Sequence, residues 1–295
     1  MNKEEISILV SSFDNSGPSK GAIAMANGLS KYFNEVKLIF FSKVSHDKLK
    51  INLLDNINLI FVEKRTNNFV KKIFILRDTI MDNSFVISFG FMADLVNVFF
   101  LKNKFSISSV RGNLSLNYYY DFNFLGKILA FFHYKIIKHS NYIFSMTSSM
   151  SEKIKKVTGR DSIIIRNFVD EITIKKFKVK KNSYNKNLKF IFVGTLSERK
   201  NIMFLIESFN ELLINNPNIS LSILGTGPLK SNIENFIKNK NLEKKINFIG
   251  YKNNPYYFIN QSDIFVLPSF SEGISRAALE ALFFDIPCVM FKVDG

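Results

Sequence analysis

Two carboxylates eight positions apart near the end of the chain, Glu272 and Glu280, carry the clearest chemical signal in the sequence. Ahead of them, the short apolar run Ile264-Phe265-Val266-Leu267 closed by Pro268 reads as a buried strand ending in a turn. Ser275 is a suitable N-cap for the Ala- and Leu-rich helix that follows, and Asp285-Ile286-Pro287 stops that helix before a strand at Cys288-Val289-Met290-Phe291. Glu272 then lies in the loop before the helix and Glu280 about two turns along it. At ~1.5 Å rise per residue, the pair is separated by roughly 12 Å along the axis. Between them the free N–H groups of Ile274, Ser275 and Arg276 form the positive end of the helix, a seat for a diphosphate. Gly273 lets a ligand come close to the backbone. A nucleotide-sugar lying along that axis would set its sugar hydroxyls on one carboxylate and its ribose hydroxyls on the other. Taken alone, the pair also reads as two solvated glutamates on a helix.

Further cations and glycines sit at other predicted strand ends. Phe192-Val193-Gly194-Thr195-Leu196-Ser197-Glu198-Arg199-Lys200 runs from a strand into a loop with two adjacent cations. Lys200 is a compact charge for a phosphate and Arg199 a planar fork, or the two form a solvated basic turn. Leu224-Gly225-Thr226-Gly227-Pro228-Leu229 is ordinary turn punctuation between a strand and a helix. Tyr251 follows another short strand, Gly17 lies in the first strand-to-helix loop, and Arg111 closes a strand at Ser109-Val110. Each also has a plain structural reading: a surface tyrosine, a turn glycine, a structural arginine.

The elements that must position these groups alternate throughout. Strands are predicted at 6–11, 36–41, 57–62, 85–89, 105–110, 142–146 and 162–166, with helices such as 19–33 and 126–138 between most of them. After 175–188, part of a stretch with seven lysines and no acid between Lys175 and Lys189, a second series begins. It has strands at 190–193, 220–224, 246–249 and 264–267, and helices at 203–215, 229–239 and 255–261. Short, nearly continuous apolar strands separated by helices imply parallel sheets covered on both faces. The expected organisation is α/β, two Rossmann-like domains facing a cleft: 1–174, a lysine-rich linker over 175–188, and 189–295. The apolar stretch Ser84 to Leu101 contains Asp94, Asn97 and Gly90 and reads as a buried strand followed by a core helix.

The segment Glu272-Gly273-Ile274-Ser275-Arg276-Ala277-Ala278-Leu279-Glu280-Ala281-Leu282 with Ile286-Pro287-Cys288-Val289 resembles the Glu-x7-Glu signature of retaining family-4 glycosyltransferases of the GT-B fold. The Gly194 to Lys200 segment resembles that family's Gly-x-Leu-x-x-x-Lys loop, whose lysine binds the donor diphosphate. Thr195 stands where many members carry Arg, a place Arg199 is free to fill. Ser16-Gly17-Pro18-Ser19-Lys20 looks like the family's Gly-Gly loop with Ser16 replacing the first glycine, and Tyr251 falls where members line the base pocket. Ile165-Arg166-Asn167-Phe168-Val169-Asp170 is similar to the segment before the interdomain crossover, Asn167 and Asp170 reading as structural. Where many relatives have a histidine, this chain has Arg111.

The resemblance implies transfer of a sugar from a nucleotide diphosphate, UDP by preference, to a hydroxyl acceptor with retention at the anomeric carbon. Glu272 would serve the donor sugar, Glu280 the ribose, the Gly273-Ile274-Ser275 backbone the sugar and phosphates, Lys200 and Arg199 the diphosphate, and Gly194 and Tyr251 the rest of the donor. Gly17 and Arg111 would face donor phosphate and acceptor. Neither a metal nor another cofactor is expected, since no Asp-x-Asp ends a strand. Relatives continue for some dozens of residues beyond the strand ending at Phe291, so the chain reads as a natural truncation or a fragment with an incomplete second domain. A catalytically silent sugar-nucleotide-binding remnant is the alternative.

Composition narrows the partners. The chain has 40 Lys plus Arg against 25 Asp plus Glu, a formal charge of +15, which favours anionic partners. Basic charge in the first domain and linker suggests docking on anionic lipid beside a lipid-linked acceptor. Nucleic acid is not expected, because no basic stripe is interleaved with aromatics. Abundant Lys, Asn, Ile and Phe also look like a genomic compositional bias. The single cysteine, Cys288, on a predicted buried strand, and an N-terminus that does not read as a signal peptide fit a reducing cytoplasm, with peripheral contact at the inner membrane face.

Overall fold

The computed structural model describes residues 5–13, 17–42, 53–82, 84–101, 104–169, 171–179 and 187–293. It divides into two compact units, Met1–Asn167 and Phe168–Gly295. Among the described residues, the first unit has strands β1 (Glu5–Ser12), β2 (Glu35–Ser42), β3 (Ile57–Phe61), β4 (Phe85–Phe89), β5 (Phe105–Ser109), β6 (Tyr142–Ser145) and β7 (Ile163–Ile164). They form one parallel sheet in the order β3-β2-β1-β4-β5-β6-β7. Helices α1 (Gly17–Leu29), α2 (Phe69–Thr79), α3 (Phe91–Phe99), α4 (Leu114–Ile137) and α5 (Ser148–Thr158) connect them. The central strands read as continuous apolar runs because both faces are covered. Leu9, Ile39 and Val86 are fully buried with Leu76 of α2 and Val96 of α3, and each such side chain contributes about 2 kcal/mol by leaving water.

The second unit carries α6 (Glu171–Lys175), β8 (Leu188–Val193), α7 (Ile202–Asn215), β9 (Ile219–Leu224), α8 (Lys230–Asn239), β10 (Ile246–Gly250), α9 (Tyr256–Asn260), β11 (Ile264–Leu267), α10 (Arg276–Phe283) and β12 (Cys288–Met290). Its parallel sheet runs β10-β9-β8-β11-β12. Phe192 and Phe265 of the two middle strands are completely buried, facing helix residues such as Ile206 and Ala281. The alternation expected for both halves is therefore present, with boundaries shifted by a residue or two at most elements.

Four expectations change. The division falls at Asn167 rather than after residue 174, because Ile174 of α6 is 1% exposed and packs in the second unit's core. The helix expected over 126–138 is the second arm of a longer one: α4 begins at Leu114 and bends at Asn123, whose φ of 52° and ψ of −130° are non-helical. The strand expected over 162–166 shrinks to the exposed pair Ile163–Ile164 at the sheet edge. Cys288 is only half-buried, since β12 is an edge strand and Val289 beside it faces solvent. The Asp14-Asn15-Ser16 turn, Asp170 and the lysine-rich residues 180–186 lie outside the described residues.

The stretch of transmembrane length is a strand and a core helix, as its polar residues require. Gly90, at φ 92°, makes the turn between β4 and α3, and a Cβ there would meet Ser11 Oγ at 2.9 Å. Asp94 and Asn97 are buried and hydrogen-bonded: Ser88 Oγ donates to Asp94 Oδ1 at 2.5 Å, and Asn97 Nδ2 donates to Val86 O at 2.8 Å, while Asn97 Oδ1 has no partner among the described residues. No described helix is long and apolar enough to cross a membrane.

Candidate functional site

In the second sheet, β8 has β9 on one side and β11 on the other, so the loops leaving β8 and β11 diverge at adjacent strand ends. Open parallel sheets take ligands at such a point. Arg199, Lys200 and Glu272, three of the residues singled out from the sequence, come together there.

After β8 the chain passes Gly194 and makes a single 3-10 turn, Glu198–Lys200, ended by Asn201 in the left-handed region at φ 53°. Asparagine tolerates that conformation better than most residues. Lys200 N donates to Ser197 O at 3.0 Å and Asn201 N to Glu198 O at 2.9 Å, which fixes the two cations in place. The neighbouring loop after β9 supports this turn from below. A Cβ on Gly225 would lie 1.8 Å from Gly194 O, and one on Gly227 would lie 2.4 Å from Leu196 O. Leu196 N donates to Thr226 O at 3.0 Å and Leu229 N to Leu196 O at 3.1 Å. The Gly-x-Gly-Pro element thus acts through close loop packing.

The loop after β11 is stitched to the same turn. Phe270 N donates to Arg199 O at 2.9 Å, and Arg199 Nη1 donates to Ser271 O at 2.8 Å. Lys200 Nζ donates to Glu272 Oε1, with Arg199 Nη1 3.9 Å from the same oxygen. Lys200 is 9% and Glu272 8% exposed, so this ion pair is largely withdrawn from water. Burial pushes the Lys200 ammonium below its ordinary value; the neighbouring Arg199 acts in the same direction, and the attraction of Glu272 does not fully offset them.

Ser275 caps α10 as the sequence predicts, its Oγ accepting from Ala278 N at 3.3 Å. The free N–H groups of the first turn and their partial positive charge therefore sit a few residues beyond Glu272. Glu280 is buried on the same helix. Two more polar groups of this segment, Ser269 Oγ and Arg276 Nη1, are buried without a hydrogen-bond partner among the described residues. From sequence, only the backbone N–H of Arg276 is a candidate ligand. Its position beside the N-cap is the signal that would have marked the side chain.

Other candidates stand apart. Tyr251 follows β10, separated from β8 by β9, and its hydroxyl donates to Asn253 Oδ1 at 2.8 Å. Gly17 opens α1 with nothing within 4 Å of where a Cβ would be. Arg111 belongs to the first unit: Nη2 donates to Asn167 Oδ1 at 2.6 Å, its guanidinium lies 5.9 Å from the Phe89 ring centroid, and it is 3.9 Å from the Cβ position of Gly21. It thus sits by the end of β4 and the first turn of α1, where that sheet's strand order reverses around β1.

Comparison with known proteins shows what these features are similar to. Residues 173–295 match the family described as "Glycosyl transferases group 1". A relative from Escherichia coli, named UDP-Gal:alpha-D-GlcNAc-diphosphoundecaprenol alpha-1,3-galactosyltransferase, is 32% identical over 120 residues, 40% of this chain and 30% of its own length. A second, from Campylobacter jejuni, is an alpha-1,4-N-acetyl-D-galactosaminyltransferase named for a PP-undecaprenol-linked saccharide. It is 22% identical, over 96% of this chain and 77% of its own. The chain thus spans less than a third of the first relative's length. Among solved structures, Staphylococcus aureus TarM in complex with UDP aligns with a TM-score of 0.79 and 14% identity, covering 99% of this chain and 86% of that one. Residues 173–295 therefore resemble the group 1 glycosyl transferases, and the chain that carries them has the GT-B fold.

Proposed function

We propose that the protein transfers a sugar from a nucleotide-diphosphate donor, a UDP-sugar, to a hydroxyl of a lipid-linked saccharide with retention at the anomeric carbon. The observation that supports this best is the withdrawn Lys200–Glu272 pair at the β8/β11 divergence, beside Arg199 and the capped start of α10. A buried lysine held below its ordinary value by desolvation gains by acquiring an anion, and a diphosphate is the anion whose size suits a cation pair beside a helix N-terminus. The unpartnered Arg276 Nη1 and Ser269 Oγ are further polar groups that such a ligand would satisfy. The relatives are named for UDP-Gal and for undecaprenol-diphosphate-linked acceptors, and the TarM complex contains UDP.

In this reading Lys200, Arg199 and the N–H groups of Ile274 and Ser275 hold the diphosphate, with Gly194 and Gly273 leaving room at the backbone. Glu280 accepts from the ribose hydroxyls. Glu272, released from Lys200 when phosphate takes its place, accepts from hydroxyls of the donor sugar. Tyr251 borders the base, and Gly17 and Arg111 belong to the acceptor side. The bond from the anomeric carbon to the phosphate oxygen breaks, and a bond to the acceptor oxygen forms on the same face. The acceptor's proton passes to the departing diphosphate oxygen, so no enzyme nucleophile is used. Charge on the leaving group is carried by the cations and the helix terminus.

A thermal-shift screen of UDP, GDP and their sugars against wild type and Glu280→Ala tests the reading. Stabilisation of wild type by one nucleotide family, lost in the variant, supports it. Stabilisation without turnover of radiolabelled donor identifies a binding module instead, and no stabilisation by any nucleotide refutes the site.

A further inference from the structure

The most unusual surface of the first unit is the bend of α4. At Asn123 the helix reverses into two arms, 114–122 and 124–137. At the apex Phe124 is 69% and Leu125 66% exposed, far more than apolar side chains of their size normally are. Phe131 and Phe132 extend the same apolar face along the second arm, two turns on from Phe124, and Tyr119 and Phe122 flank it on the first.

This projection is built rather than loose. Gly126 is packed so tightly that a Cβ would fall 1.9 Å from Tyr118 O, which sets the arms against one another. Tyr118 Oη is 2.8 Å from His133 Nδ1 across the arms, and His133 Nε2 is 2.7 Å from the buried Asp94 Oδ2 of α3. Ser88 donates to the other oxygen of Asp94, tying the bend to β4. A tyrosine, a histidine and an aspartate thus hold an exposed aromatic apex at a fixed attitude to the sheet.

Charge decides what covers it. From Phe122 to Ser151 the chain has Lys127, Lys135 and Lys138 and no Asp or Glu, with one exposed acid, Asp121, immediately before it. Lys127 Nζ lies 5.7 Å from the Tyr119 ring centroid and Lys135 Nζ 5.5 Å from that of Phe131, so apolar stems and rings share the surface while the ammonium groups remain at its rim. A second copy of the chain, itself at +15, would bring lysines against lysines around a two-fold axis. Exposed aromatic and aliphatic side chains rimmed by lysine match the boundary between acyl chains and anionic head groups.

We propose that the bend of α4 is the element by which the protein seats on an anionic lipid bilayer, with Phe122, Phe124 and Leu125 entering the interface and Lys127, Lys135 and Lys138 on the phosphates. The purpose of this docking rests on the lipid-linked acceptor proposed above, whereas the docking itself is measured without donor or acceptor, so the two can fail separately.

The chain has no tryptophan, so Leu125→Trp places the only one at the apex and Tyr257→Trp, at an exposed position of α9, serves as the control. Each full-length variant is mixed with phosphatidylcholine vesicles containing or lacking phosphatidylglycerol. The expected result is a blue shift and quenching by brominated acyl chains for Leu125→Trp on the anionic vesicles alone, with neither at Tyr257→Trp. Co-sedimentation of the Trp-free chain should fall about twenty-fivefold in Lys127→Glu/Lys135→Glu, at roughly fivefold per lysine. It should fall likewise in Phe124→Glu, with the circular dichroism of both unchanged. Equal quenching at both tryptophans, binding indifferent to phosphatidylglycerol, or no binding overturns the proposal. So does a wild-type dimer that Phe124→Glu converts to monomer without any change on vesicles.

Discussion

Replacing Lys200 with Met keeps a long side chain and removes its charge. Glu272 would then be a carboxylate in a nearly dry site, with Arg199 Nη1 3.9 Å away. Breaking a buried pair from one side costs about 3–5 kcal/mol, and the residual attraction of Arg199 places this case near the lower end. At roughly 3–5 °C per kcal/mol for a unit of this size, the second unit should melt about 10 °C earlier. Glu272→Gln alone leaves the two cations facing each other and should cost a similar amount. The double variant Lys200→Met/Glu272→Gln removes both charges together and should return to within about 1 kcal/mol of wild type, since neutral replacement of a buried pair is commonly tolerated. Urea unfolding followed by circular dichroism gives the cycle, and UDP added to each sample reports function. The double variant should be stable and unresponsive to UDP. A double variant destabilised by the sum of the single effects would refute the idea that the pair is one coupled unit.

Four further expectations follow from the same geometry. Because Lys200 sits below its ordinary value when folded, the unfolded chain holds more protons between that value and 10.5; stability should rise with pH through this window, with the cost of the buried ammonium present in full below it. UDP affinity should move oppositely, declining as pH climbs through the same window in titration calorimetry, and Lys200→Arg should abolish the decline. Gly225→Ala drives a methyl into Gly194 O and should destabilise by about 1–3 kcal/mol in urea while lowering UDP affinity, because the loop that carries Lys200 must move. Transfer activity should survive EDTA, since Lys200, Arg199 and the α10 terminus carry the leaving group's charge; loss that Mg²⁺ restores would contradict that assignment.

Much of this was legible in local chemistry. Pro268, Ser275 and Asp285-Ile286-Pro287 mark the ends of β11 and α10, and Ser275 proves to be the cap. Asp94 and Asn97 identified α3 as a core helix, because polar groups at those places need partners that a bilayer does not supply. What the sequence concealed lies in contacts between distant segments. Lys200 and Glu272 are far apart along the chain, and their pairing follows only from β8 and β11 being neighbours. The same holds for Gly225 against Gly194. The bend at Asn123 is hidden because a lone asparagine inside a long apolar and aromatic run is also compatible with a continuous helix, and the close approach of Gly126 to Tyr118 is visible only in the structure. Ile174 lay ahead of the lysine-rich segment taken for a linker, and only the second unit's packing assigns it.

The central claim is that the β8/β11 divergence holds a diphosphate. A crystal structure with UDP tests it most directly. The account predicts diphosphate oxygens within hydrogen-bonding distance of Lys200 Nζ and the first N–H groups of α10, Glu272 parted from Lys200, and the ribose on Glu280. UDP bound elsewhere, with Lys200 still on Glu272 and Glu280 untouched, would contradict it.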